Sequence, residues 1–142
     1  MKKIAVFTGN RSEYGLLISV LNAINQNPKL EYKLIVSGSH LDEDFGESVK
    51  EIQRDGFQIN VSIKIDIDTD SLNSNVTAIG SGIIKIGEAI QLLKPDFMIV
   101  YGDRSEALAA VIASTQMNIA TVHIEGGDLT CLLYTSPSPR DS

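Results

Sequence analysis

At 142 residues, with 43% apolar and 21% charged side chains, the chain has the length of one domain and the composition of a globular protein able to bury a core. A formal net charge of −6 argues against a nucleic-acid or anionic-membrane surface, although a few local arginines are enough to hold a phosphate. The lysines at positions 2 and 3 mimic a signal peptide, but the apolar run after them is short, no later stretch reads as long enough to span a bilayer, and Cys131 is the single cysteine; a cytoplasmic protein without disulfides or membrane contact is the expectation.

Branched apolar runs alternate with stretches of helical period along the chain. They predict strands at residues 3–8, 32–37, 58–64, 97–101 and 119–124, and helices at 13–25, 45–55, 72–93 and 105–117. In the third helix Val76, Ile79, Ile83, Ile86, Ile90 and Leu93 recur at threes and fours, which gives one apolar stripe for a sheet. Strand and helix in strict alternation define an α/β fold with a doubly wound parallel sheet of five strands.

Ligands of such sheets bind outside the carboxyl ends of the strands, so the segments to inspect follow each strand. After the first comes "TGNRSEYG", which lacks both the dinucleotide fingerprint and the P-loop spacing. Here Ser12 is expected to cap the first helix and to leave Arg11 at its positive end, an anion site; a surface arginine paired with Glu13 explains the same residues equally well.

After the second strand, "SGSHLDEDFG" places His40 on the same rim, and "DIDTDS" further on lacks the glycine and the glutamate of a calcium loop. "YGDRSEA" puts Asp103 and Arg104 at a strand end with Ser105 as helix cap, a constellation that also suits a plain Asp–Arg turn. "HIEGGD" offers His123, Glu125 and Asp128. Its spacing does not exclude a metal, but imidazole–carboxylate hydrogen bonding is the commoner use, and no metal is expected.

Taken in this order, "TGNRSEYGLL", "GSHLDEDFG", "LKPDFMIVYGDRSEALA" and "HIEGGD" resemble the UDP-N-acetylglucosamine 2-epimerase family from the first strand to Thr130. The resemblance is to its hydrolysing branch, because non-hydrolysing members carry Pro after the loop arginine and Lys further on, where this chain has Ser12 and Leu16. One departure is Tyr101, a position where some hydrolysing members have His.

What the resemblance implies is the N-terminal Rossmann-like half of a two-domain fold of the GT-B type, truncated here, with a UDP-sugar in the cleft between halves. It further implies anti elimination of UDP across C1 and C2, then hydration with the opposite configuration at C2, giving N-acetylmannosamine for sialic-acid-type synthesis with no cofactor. By the same resemblance Asp103 and Glu125 serve proton transfer, and His40 and His123 hydrogen-bond within the catalytic site. Arg11 and Arg104, with Ser12 and Glu13 beside them, would hold the diphosphate or orient the acids. The partners implied are a UDP-sugar and further copies of the chain, not nucleic acid. A GT-B glycosyltransferase and a non-catalytic nucleotide-sugar binding module are the alternatives.

From Cys131 onward the language changes to Ser and Pro without periodicity. "CLLYTSPSPRD" can be back-translated into a transposase adapter of the kind used to build sequencing libraries. The expectation is a domain over residues 1–130 and a non-native tail over 131–142, with the remainder of the natural protein missing, a sheet edge left unpaired, and a chain that is poorly soluble and inactive as it stands.

Overall fold

A computed structural model describes residues 1–9, 11–37, 45–65, 72–102, 105–125 and 128–132. Along the chain run β1 (Lys2–Thr8), α1 (Arg11–Gln26), β2 (Leu30–Ser37), α2 (Phe45–Arg54), β3 (Ile59–Ile63), α3 (Leu72–Leu93), β4 (Phe97–Tyr101), α4 (Ser105–Gln116), β5 (Ala120–Glu125) and β6 (Asp128–Leu132). The strands form one sheet in the order β3-β2-β1-β4-β5-β6. The first five are parallel, as the alternation of strand and helix predicts.

Strand alternation divides the core into two layers. Ala5, Phe7, Ile35, Met98 and Val100 face α3 and α4, meeting Ile86, Ala89, Ile90, Ala107, Ala109 and Ala110. Val6, Leu34, Val36 and Tyr101 face the other way, against Leu17, Leu21 and Ile24 of α1 and Ile52 of α2. The spacings of four and three between Leu17, Leu21 and Ile24 are what bring all three onto one side of α1. Helices on both faces confirm the doubly wound architecture.

Three sequence expectations need correction. The helix after β1 starts at Arg11, so Ser12 lies inside its first turn instead of capping it. Arg, Ser and Glu are all compatible with a first turn, and Asn10 before them is itself a capping type of residue, so polar pattern alone does not fix the boundary. Asn10 lies outside the described residues. Likewise Ser105 is the first residue of α4, not the residue before it.

The second correction concerns the sheet edge. β6, a sixth strand beyond the five predicted, pairs antiparallel with β5, from Glu125 opposite Asp128 to Thr121 opposite Leu132, and takes the place of β5 as the outer strand. It crosses the expected domain boundary, with Cys131 opposite Val122. The third is α3: Asn75–Leu93 is 19 residues of mean hydropathy 1.4, long and apolar enough to cross a membrane by length and composition. The helix is only partly covered: Ile86, Ala89 and Ile90 are buried against the sheet and α4, whereas Ile84, Leu92 and Val76, the last expected on the sheet-facing stripe, are exposed.

At the amino-terminal edge of the sheet β1 and β4 are clamped reciprocally. Lys3 N–H donates to the Asp96 carboxylate at 2.8 Å, and Asp96 N–H donates to the Lys3 carbonyl, also at 2.8 Å. The clamp holds one end of the β1–β4 seam and leaves the other end to the loops.

Candidate functional site

The strand order reverses between β1 and β4. The chain leaves β1 toward α1 on one face and leaves β4 toward α4 on the other, so a crevice opens between the two exits at the carboxyl end of the sheet. Thr8, Tyr101 and Ile124 form one register row across β1, β4 and β5 just below it. Thr8 is wholly buried, and the ring of Tyr101 is packed among the α1 and α2 residues. Tyr101 is thus a core residue under the crevice.

Two glycines stand on the crevice rim. Gly9 follows β1 and is buried; a Cβ there would lie 3.0 Å from Glu106 Cβ, so a side chain would need Glu106 to give way by a few tenths of an ångström. Gly102 follows β4 with φ +105°, outside the range that a side chain tolerates without strain. Its N–H donates to the Ile124 carbonyl at 2.8 Å, and its own carbonyl faces Nε2 of His123.

A carbonyl only accepts, so His123 presents a protonated Nε2 to Gly102. The half-buried imidazole therefore braces the exit of β4 from the neighbouring strand, and its Nε2 is occupied by that bond. Among the described residues no group of three or more His, Cys, Asp or Glu is placed to hold a metal ion.

Of the residues singled out by sequence, His123 is at the crevice with its side chain described. Arg11, Ser12 and Glu13 are brought there as the first turn of α1, and Glu125 as the last residue of β5. His40, Asp103, Arg104 and the segment 66–71 lie outside the described residues. The strand ends at Thr8, Ser37, Tyr101 and Glu125 all lie at the carboxyl edge, so the four motif segments leave the sheet on one side. The amino ends of α1 and α4 point the same way, and their positive dipole ends suit an anionic ligand.

Two described residues of this edge escaped the sequence. Glu106, in the first turn of α4, is 5% exposed and is the one charged side chain among the described buried residues. Ser37, the last residue of β2, is wholly buried and its hydroxyl has no hydrogen-bond partner among the described residues. An orphaned buried hydroxyl is destabilising by roughly 1–3 kcal/mol. Ser37→Ala is accordingly expected to raise the thermal midpoint of the ligand-free protein by a few degrees; an unchanged or lowered midpoint in a melting experiment would show that the hydroxyl is satisfied in solution.

A cavity of about 430 Å³ lined by Met1, Asn27, Leu30, Gln58 and Asn60 lies at the opposite edge of the sheet, away from the motif segments. Its position sets it apart from the crevice.

A doubly wound sheet with helices on both faces and a switch point between β1 and β4 defines a Rossmann-like α/β domain. The chain belongs to the UDP-N-acetylglucosamine 2-epimerase family, whose model matches residues 22–132. It is 37% identical over 128 residues to the UDP-N,N'-diacetylbacillosamine 2-epimerase (hydrolyzing) of Legionella pneumophila, covering 90% of this chain and 34% of that protein. With polysialic acid biosynthesis protein P7 of Escherichia coli it shares 32% identity over 134 residues, 94% of this chain and 34% of that protein.

Among solved structures, the UDP-GlcNAc 2-epimerase of Neisseria meningitidis bound to UDP-GlcNAc superposes with a TM-score of 0.68 at 23% identity, over 87% of this chain and 32% of that one. The chain thus spans about a third of the length of these relatives. Its fold is the Rossmann-like half of a GT-B-type protein.

Proposed function

We propose that residues 1–130 are an incomplete N-terminal Rossmann-like domain of a hydrolysing UDP-N-acetylglucosamine 2-epimerase, and that residues 131–142 are non-native. The observation that supports the proposal is that the strands preceding the four motif segments, β1, β2, β4 and β5, all end at the same carboxyl edge around the β1–β4 switch point, in a chain that belongs to this family. The 37% identity to a relative named as hydrolyzing supports the branch.

In this reading a carboxylate from Asp103 or Glu125 removes the C2 proton while the C1–O bond to UDP breaks. Water then adds, its oxygen at C1 and a proton at C2 on the opposite face. The C2 proton is barely acidic, so the base has to be placed and the leaving diphosphate has to be neutralised as it departs. Arg11 and Arg104, with the amino ends of α1 and α4, supply positive charge for that purpose. The enzyme is proposed to be cytoplasmic and homo-oligomeric, and inactive when reduced to these 142 residues because the other half of the cleft is then missing.

Incubation of the full-length protein with UDP-N-acetylglucosamine, followed by proton NMR, tests this. Equal amounts of UDP and free N-acetylmannosamine are expected. A glycoside formed on an added acceptor would instead make it a glycosyltransferase, and binding without turnover would make it a binding module. A diacetamido-trideoxy sugar is the second substrate to try, because relatives of Legionella pneumophila and Campylobacter jejuni are named for UDP-N,N'-diacetylbacillosamine.

A further inference from the structure

Glu106 is unexplained by packing alone. The other buried residues of α4 are Ala107, Ala109, Ala110, Ala113 and, two turns further on, Ser114, a surface of small side chains in which Glu106 is the only charge. Two features of its place account for a charge there. It sits in the first turn of α4, where the helix dipole favours an anion. It also lies against the exit of β1: a Cβ on Gly9 would be 3.0 Å from Glu106 Cβ and 3.5 Å from its Oε2.

Glu106 therefore belongs to the segment that follows β4 and touches the segment that follows β1, on the two sides of the switch point. We infer that Glu106 is a positioning residue which, from beneath the crevice, sets the path of the chain at Gly9 and through it the first turn of α1. The contact with Gly9 stands on geometry; its consequence for diphosphate binding rests on the function proposed above.

The diphosphate is held in both ground state and transition state, and the charge it gains on leaving adds a smaller differential part, so loosening its anchor raises KM more than it lowers kcat. In the full-length protein Glu106→Gln is expected to raise KM for UDP-N-acetylglucosamine and Kd for UDP about tenfold with kcat within about threefold. Backbone amides of residues 9–12 should exchange with deuterium faster than in Glu88→Gln, an exposed glutamate on α3 that serves as control. Glutamine keeps the size of the side chain, so the variant remains informative where Glu106→Ala fails to fold.

Wild-type KM and wild-type amide exchange in Glu106→Gln would overturn the inference, as would a fall in kcat at constant KM, which would make Glu106 part of the chemistry. If the wild-type protein turns over no UDP-sugar, the proposed function fails, and amide exchange at residues 9–12 still decides the positioning role.

Discussion

Asp103→Asn in the full-length protein is expected to lower turnover of UDP-N-acetylglucosamine by about 100- to 10,000-fold, the range that a positioned general acid or base contributes. Asparagine has nearly the shape of aspartate but accepts no proton, so KM is expected to move by only a few fold while kcat collapses. In sequence the residue directly follows Gly102, the glycine at the exit of β4. Rapid-quench measurement of UDP release provides the check, with Glu125→Gln as companion and Asp96→Asn, at the far edge of the sheet, as control. Turnover within threefold of wild type for Asp103→Asn would remove Asp103 from the mechanism.

The second large effect is expected at Gly102. At φ +105° an alanine is strained by roughly 1–3 kcal/mol. Relief by rotating the peptide would break the bond to the Ile124 carbonyl and withdraw the carbonyl that His123 faces. Either way the exit of β4 loses its present form. Gly102→Ala is expected to lower the thermal midpoint by several degrees and to impair turnover with it. His123→Ala, which removes the brace and leaves the backbone free of strain, should cost less stability. Equal melting of wild type and Gly102→Ala would show that the backbone accommodates a side chain there.

Much of the fold was legible because long-period signals are redundant. The third helix is read correctly at both ends, 72 and 93, because six apolar residues repeat its period, and β4 is bounded by Pro95-Asp96 before it and Gly102-Asp103 after it in sequence. β6 was not legible in the same way. Its five residues, Asp128–Leu132, have no sustained alternation, and Gly126-Gly127 was taken for part of a catalytic loop. Two glycines between strand-length segments are also a hairpin signal, which the pairing of Glu125 with Asp128 bears out.

The candidate site divides along a similar line. The motif segments were found because they follow strands, a local property. Glu106 and Ser37 were not, since their burial depends on which strands become neighbours. Glu106 stands within "YGDRSEA" beside two more conspicuous charges, and no local pattern marks it as the one that turns inward. The end of α1 shows a smaller version of the same limit: polar residues signal that a helix begins, but leave one or two residues of freedom about where.

The clamp between Lys3 and Asp96 joins residues 93 apart in sequence. The seam it closes is thus among the most non-local in the molecule, whereas β1 and β2 pair across a single short helix. Loop-closure entropy delays such long-range contacts, so the half made of β1, β2 and β3 has the means to assemble early, and the β1–β4 crevice has to wait for the chain beyond residue 97. During synthesis the two sides of the crevice meet late, and until they do the buried face of β1 that will carry α4 is open to misassociation.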